Sequence, residues 1–243
     1  MESYKNIVGD YYEDAHYKSN KAQEFHYISR EQYFIEFMGL KGNEKVLDIG
    51  CGSGTFSRTL AKKYPQLKIV GVDISKKAIN YARKKTMSEG IKNINFCVSS
   101  IEDIKIKFND FDVAVVSHII EHVKNPAKAI IEVKKKLKIG GTIFLTTPNY
   151  ASLWPIAEYV FDKTLAKKNY SLGEQHISKF TFFSIRNLLN ENGFVVTKER
   201  ALYLISMEAS LISSSLAWAT FKFDKLFSWL PFGMIIYLSA IKK

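Results

Sequence analysis

The sequence predicts an α/β fold: a doubly wound, mostly parallel sheet of seven strands, preceded by N-terminal helices and interrupted by one insertion. Three observations lead there. Between Lys45 and Thr146, short apolar runs alternate with stretches of helical periodicity, the rhythm of strand–helix–strand crossovers. The run from Phe111 to Val116, apolar except for Asp112, suits a strand covered on both faces. A chain of 243 residues with 47% hydrophobic content suits one domain, 1–243, with a sizeable core and room for a cap.

Each element has its own signal. Residues 1–40 read as an N-terminal helical cap of one or two helices. They are rich in tyrosine (Tyr4, Tyr11, Tyr12, Tyr17, Tyr27, Tyr33), and Phe25, Ile28, Phe34, Ile35 and Met38 recur at helical spacing. Lys41-Gly42-Asn43 supplies a turn, and residues 41–147 form the core. There Lys45–Ile49 is a strand ending in glycines, and Phe56, Leu60 and Ala61 mark the helix after it. Ile69–Val72 is strand two, Ser75 caps a helix reaching about Met87, and Ile94–Val98 is strand three. After strand four, Phe111–Val116, Pro126 opens a helix that runs to Leu137. Gly140-Gly141 breaks it before strand five, Thr142–Thr146. Residues 148–179 are aromatic and irregular, an insertion or lid at the carboxyl edge of the sheet. Residues 180–243 resume with a helix from Phe182 to Asn190, closed by Asn192-Gly193, and strand six from Phe194. An apolar segment, 207–230, then precedes the last strand, Gly233–Ile241.

The formal net charge of +11 fits nucleic acid, an anionic membrane surface or an anionic substrate. The lysines fall in short runs such as Lys62-Lys63, Lys76-Lys77, Lys84-Lys85 and Lys134–Lys136, on predicted solvent faces. A solubilising surface and an anionic partner therefore both stay open. Two cysteines make no disulfide framework and point to a reducing, cytoplasmic setting. The opening Met1-Glu2-Ser3-Tyr4-Lys5 is no signal peptide. The most apolar stretch, Leu211–Leu230, carries Lys222, Asp224 and Lys225, too much charge for a spanning helix.

The chemistry sits in Asp48-Ile49-Gly50-Cys51-Gly52-Ser53-Gly54. Glycines at a strand end let the backbone turn sharply and approach a ligand. Thr55 stands where a dinucleotide fingerprint needs glycine, and Gly54-Thr55-Phe56 is no P-loop. Asp48 would repel a pyrophosphate but suits a ligand with an ammonium group. Asp73, at the end of strand two, can accept both hydroxyls of a ribose.

Val46–Gly54 followed by Val70-Gly71-Val72-Asp73 resembles the first two motifs of class I S-adenosylmethionine-dependent methyltransferases, which share a Rossmann-like sheet. Phe111-Asp112-Val113 through Glu121-His122-Val123, and Leu137–Gly141, are similar to that family's middle region. The resemblance covers residues 30–147 and, more loosely, 176–200. It implies S-adenosylmethionine as cofactor. Asp48 and the backbone of Gly50, Cys51, Gly52 and Gly54 would hold the methionine part. Asp73 would take the ribose, and Ile74 would lie on the adenine. Ser117 would offer backbone to the methionine end, and Arg30 would pair with its carboxylate. Ser100 and Ile101 stand where the family often has an aspartate for the adenine amino group. A hydroxyl accepts more weakly than a carboxylate there, with Glu102 as a helper.

His118-Ile119-Ile120-Glu121-His122 matches an inverted zinc-peptidase pattern, but it falls in the loop after strand four of this fold. It also resembles the quinone-biosynthesis O-methyltransferase branch, whose members can hold a divalent metal here. His118 replaces the first carboxylate of that set, which disfavours magnesium. A metal on His118, Glu121 and His122, a base role for His122, and a structural role all remain open. His176, after Glu174-Gln175, sits where related small-molecule and glycan methyltransferases have a histidine, and reads as a base or as a cap of the insertion.

No Asn/Asp-Pro-Pro-aromatic motif follows strand four, neither cysteine is placed as a pyrimidine nucleophile, and no RNA-binding module is appended. Nucleic acid is thus the weaker expectation, with an RNA methyltransferase and a non-catalytic cofactor-binding partner as alternatives. In 207–230, Ile212, Leu216, Ala219, Phe223, Leu226, Phe227 and Leu230 repeat at helical spacing. Trp218, Phe221 and Trp229 stand beside them. This is either a core helix or a face that meets a membrane surface or a lipid-like acceptor. With Tyr150, Trp154, Tyr159 and Phe161 in the insertion, it favours O-methylation of a small hydrophobic or lipid-linked substrate by a cytoplasmic, membrane-peripheral enzyme.

Overall fold

A computed structural model describes residues 21–164 and 175–243. Tyr4, Tyr11, Tyr12, Tyr17 and Glu174, the second leading helix and the middle of the insertion lie outside the described residues, as does the side chain of Phe161.

The helix α1 (Lys21–Met38) leads into alternating strands and helices: β1 (Lys45–Ile49), α2 (Thr55–Lys63), β2 (Lys68–Asp73), α3 (Lys76–Ser88) and β3 (Ile94–Val98). Next come β4 (Phe111–Ser117), a 3-10 turn at Ile120–His122, α4 (Pro126–Lys136) and β5 (Leu137–Pro148). The chain closes with α5 (Trp154–Thr164), α6 (Phe182–Glu191), β6 (Phe194–Leu202), α7 (Ser206–Ser210), α8 (Ser214–Leu226) and β7 (Ile235–Lys242).

The seven strands lie in the order β3-β2-β1-β4-β5-β7-β6. β7 runs antiparallel to both β5 and β6, and the other pairs are parallel. The winding reverses between β1 and β4, so the crevice beyond their carboxyl ends is where an open α/β sheet admits a ligand. Successive strand residues alternate between two buried layers. Leu47, Ile49, Ala114, Val116 and Ile143 meet Ile130 and Val133 of α4 and Ile185 and Leu189 of α6. Val46, Val113, Val115 and Phe144 share the opposite layer with residues of α1, α2, α3 and α8, among them Phe34, Leu60, Ile79 and Phe221. Two covered faces explain why these strands read as apolar runs rather than as an alternating pattern.

Local signals act as expected at several boundaries. Ser75 accepts a hydrogen bond from Ala78 N at the start of α3, and Asn125 does so from Lys128 N just ahead of Pro126. At α6, Thr181 and Ser184 form a reciprocal capping box.

Three regions differ from the sequence reading. Gly140-Gly141 does not break helix α4, which has already ended at Lys136. Instead, residues 138–141 bulge out of β5 between the Phe111–Leu137 and Val113–Thr142 pairs. Gly141 is required there, since a Cβ would lie 2.9 Å from Lys138 O. The insertion is not wholly irregular, because α5 lies inside it. The apolar segment is two helices, not one, and its core side is Ala217 and Phe221 with Asp224. The stripe formed by Leu216, Phe223 and Leu226 faces outward.

Candidate active site

Beyond the carboxyl ends of β1, β2 and β4 lies a cleft of about 440 Å³. Its floor is the glycine loop. Gly50 N and Cys51 N both donate to Val72 O, at 2.7 and 3.0 Å, which ties the loop to β2. Arg58 of α2, buried, donates from Nη1 to Ser53 O and fixes the far side of the turn. Gly50 has φ 71°, and a Cβ there would come within 2.2 Å of Ile119. Gly52 also has positive φ, but its Cβ position looks into open space, the approach a ligand needs. Gly54 does not line the cleft: in left-handed conformation it precedes α2, with the Phe96 ring 2.6 Å from where a Cβ would be. Its role is the turn.

Two carboxylates flank the loop, Asp48 buried and Asp73 half-buried. Asp73 Oδ2 accepts from Gly52 N at 2.9 Å and Oδ1 from Ser75 N at 2.8 Å, which fixes its orientation at the cleft. Burial raises its carboxyl above the usual range, against both backbone bonds. Asp48 accepts from Ser57 Oγ at 2.5 Å. Burial lifts its carboxyl to about 6, with the Asp73 charge adding to the rise and the Ser57 bond opposing it. A cation in the cleft would relieve both groups. Cys51 lines the same wall, its thiol pushed well up by burial and the two aspartates, hence unreactive.

Ile74 lines the cleft as an exposed apolar side chain. Ser100 and Ile101 stand at the same end; Ser100 Oγ accepts from Glu102 N at 3.2 Å, and Glu102 accepts from Asn125 N. Both Ser100 and Glu102 therefore border the cleft beside Ile74 and Ile101. Ser117 exchanges a hydroxyl bond with Thr146, and Arg30 reaches the opposite wall from α1. These positions fit S-adenosylmethionine: an open backbone approach, a two-oxygen acceptor for a ribose, an apolar plate and a buried acid near the positive end.

The far wall holds three imidazoles. His118 adopts φ 53°, unusual for a residue with a Cβ, and its Nδ1 bonds Glu121 at 3.1 Å. Its Nε2 is buried without a protein partner. Burial lowers the His118 pKa despite Glu121, and the Arg30 charge adds to the fall. Burial alone would raise Glu121, but the His118 bond and the charges of His118 and His122 outweigh it and hold the carboxyl below its ordinary value. His122 Nδ1 bonds Gln175 O at 3.0 Å. The segment around His176 is pinned to the β4 loop by Ser178 N to Glu121 O and Ser178 Oγ to Val123 O, both 2.9 Å. That brings the His122 and His176 rings to 5.0 Å.

His176 is buried, and its Nδ1 lies 2.5 Å from Glu158 Oε1 of α5. Tyr150 donates to the same oxygen at 2.7 Å. Burial pushes the Tyr150 phenol far up and, as the largest effect on His176, holds that imidazole down. The neutral ring then donates Nδ1–H to Glu158 and keeps its lone pair on Nε2. Glu158 was not singled out from sequence, and Tyr150 only as one of the insertion's aromatic residues. The available signal was one acid, Glu158, in the otherwise apolar run Trp154–Phe161. Among the described residues, the group whose donor atoms lie within 4.8 Å of one another is Glu121, His122 and His176, so His176 and not His118 completes the cluster.

Residues 40–206 match the family described as "Methyltransferase domain". A ubiquinone biosynthesis O-methyltransferase of Coxiella burnetii is 33% identical over 169 residues, 67% of this chain and 69% of the relative. An uncharacterised protein of transposon TN4556 in Streptomyces fradiae is 29% identical over 51% of this chain but only 36% of its own length. Among solved structures, magnesium protoporphyrin IX methyltransferase of Synechocystis PCC 6803 with bound S-adenosylhomocysteine superposes with a TM-score of 0.62. The two are 15% identical, with 93% of this chain and 89% of that one covered.

Proposed function

This chain belongs to the methyltransferase-domain family, with the class I fold and S-adenosylmethionine as its methyl donor, and from that premise we propose that it O-methylates a small hydrophobic or lipid-linked acceptor. The observation that carries the oxygen acceptor is His176 in the wall of the cleft, held from behind by the buried Glu158. Bound S-adenosylmethionine supplies an electrophilic methyl group on a sulfonium. A hydroxyl is a poor nucleophile until its proton leaves, so a neutral imidazole at the cleft is the useful partner. His176 Nε2 accepts that proton while Glu158 holds Nδ1–H and stabilises the imidazolium that forms. Asp48, Asp73 and the glycine loop fix the donor, so the chain's main contribution is alignment of the reacting atoms. A relative named for O-methylation in ubiquinone biosynthesis supports oxygen as the accepting atom. Trp154 in the cleft wall and the outward apolar faces of α5 and α8 support an acceptor met at a membrane. The two free cysteines fit a cytoplasmic setting.

A second reading rests on the convergence of Glu121, His122 and His176. Two imidazoles and one carboxylate suit a transition-metal ion better than magnesium. Both imidazoles place Nδ1 on an oxygen, the usual outer support of metal-bound histidine. Such an ion would act as a Lewis acid on the acceptor oxygen. Metal analysis of purified protein, with transfer assayed after chelation, separates the two. Activity unaffected by chelation leaves the base reading alone.

The acceptor class is tested by incubating the protein with tritiated cofactor and cell extract, then counting lipid, RNA and protein fractions. Label in the lipid fraction is expected. Label in RNA instead would replace the proposal with an RNA methyltransferase, and no transfer to any fraction would leave only a cofactor-binding partner protein.

A further inference from the structure

Antiparallel neighbours such as β6 and β7 need only a short hairpin between them, yet residues 203–234 separate the two strands. Part of that segment closes the core, with Ala217 and Phe221 turned inward. The rest does the opposite of what burial of apolar surface favours. On α8, Leu216, Phe223 and Leu226 lie along one outward strip, with Leu226 69% exposed. Trp229 and Phe232 extend the apolar surface past the end of the helix, at 63% and 60%, and Leu211 and Ile212 extend it before the start. Single exposed apolar side chains are ordinary, but a run along one helix face and both its flanks is not.

Within residues 205–232 the exposed charge is basic, although Lys225 is paired with the exposed Glu36 of α1. Lys222 is exposed beside the strip. The acids of residues 205–232 are withdrawn: Asp224 is fully buried, accepting from Ile205 N, Ser206 N and the Ser206 hydroxyl, and Glu208 is half-buried. The chain as a whole carries +11. Among the described residues no helix is long and apolar enough to cross a membrane. The strip also stands at the working edge of the sheet. Asn149, next to the cleft residue Pro148, donates from Nδ2 to Pro231 O and Gly233 O, both at 2.9 Å. α5, which supplies Trp154 to the cleft wall and Glu158 to His176, exposes Ile156, Tyr159 and Val160 elsewhere on its surface, with the Lys163 ammonium 5.8 Å from the Tyr159 ring centre.

We propose that the β6–β7 insertion is a docking face for an anionic phospholipid surface, on which α8 lies flat with Leu216, Phe223, Leu226, Trp229 and Phe232 in the headgroup–acyl boundary and Lys222 on the lipid phosphates. The face deepens the acceptor reading, and rests on it only for its purpose, because it places the mouth of the cleft at the bilayer where a lipid-linked hydroxyl is found. Its residues do not line the cleft, so loss of docking and loss of methyl transfer are separable.

The test is flotation of the full chain with phosphatidylcholine vesicles, with and without 30 mol% phosphatidylglycerol as an on-the-order-of physiological anionic content. Cofactor binding is measured on the same preparation. The wild type is expected to float with the anionic vesicles, several-fold less with the neutral ones and less in high salt. Leu226→Glu with Trp229→Glu should reduce flotation about tenfold while cofactor binding stays unchanged. Equal flotation of wild type and variant overturns the proposal. So does a wild type that does not float, or one that self-associates through this face and becomes monomeric in the variant. If the double variant fails to fold, brominated-lipid quenching of the wild type decides, since it must fall in Trp229→Phe.

Discussion

Asp73 takes two backbone N–H bonds, from Gly52 and from Ser75, so its carboxylate is oriented before any ligand arrives. Replacement by alanine removes both the proposed ribose acceptor and the brace on the glycine loop. Asp73→Ala is expected to weaken S-adenosylhomocysteine binding at least about tenfold by calorimetry, the loss of a charge-assisted hydrogen bond pair. Unchanged affinity would remove Asp73 from the ribose site. Glu158 acts one step further from the chemistry. Glu158→Gln keeps the shape but no longer fixes the His176 tautomer or stabilises its imidazolium. The expected result is a fall in kcat of about a hundredfold or more, with the cofactor KM unchanged. A merely structural Glu158 would instead show a lowered melting temperature with kcat per folded molecule preserved. These two residues also mark what the sequence can reveal. The position of Asp73 at the cleft was legible because its loop, strand and spacing are contiguous or nearly so. Glu158 was not, because it joins His176 only through the packing of α5 against a segment pinned to the β4 loop by Ser178.

At the scale of elements, strands were legible where burial on both faces left little choice of residue. Lys45–Ile49 matches its predicted run, and Phe111–Ser117 extends its own by one residue. Helix α8 was harder for the opposite reason: it is apolar on two sides, so periodicity revealed a stripe but not which way it faced. Packing decides that. Phe221 meets Phe25, Tyr33 and Tyr203 at centroid distances of 5.9, 6.4 and 5.6 Å, whereas Leu226 is largely in solvent. Phe221→Ala should therefore cost about 3–5 kcal/mol in chemical denaturation, the range for a truncated core aromatic. Leu226→Ala should fall within about 0.5 kcal/mol of wild type. Comparable losses at both positions would mean that the outward strip is covered in solution. The bulge at residues 138–141 has the same lesson. Gly140-Gly141 announces a special backbone but does not say whether a helix stops or a strand loops out.

At the scale of the whole molecule, we propose that Asp48 couples the fold to its ligand. That carboxyl stands at about 6 in the folded chain against 3.8 for the free side chain, because it is buried next to Asp73. The folded state thus binds a proton more readily than the unfolded one between those values. The stability from this neutral carboxyl is complete below about 3.8 and is lost as pH rises through about 6. Above pH 6 the apo fold holds a buried anion whose hydrogen-bond partner is the Ser57 hydroxyl, and a ligand bearing an ammonium and a sulfonium would compensate its charge. Cofactor at about a hundred times its Kd should add about 2.7 kcal/mol at pH 7.5. For a chain of 243 residues that is a rise of roughly 5–11 °C in melting temperature. At pH 5 most Asp48 is protonated in the free protein, so the same concentration must first displace that proton and should yield a smaller rise. Differential scanning fluorimetry at both pH values reads the difference. An equal rise at pH 5 and 7.5 would mean that Asp48 shapes the loop through Ser57 alone and does not meet the ligand's positive end.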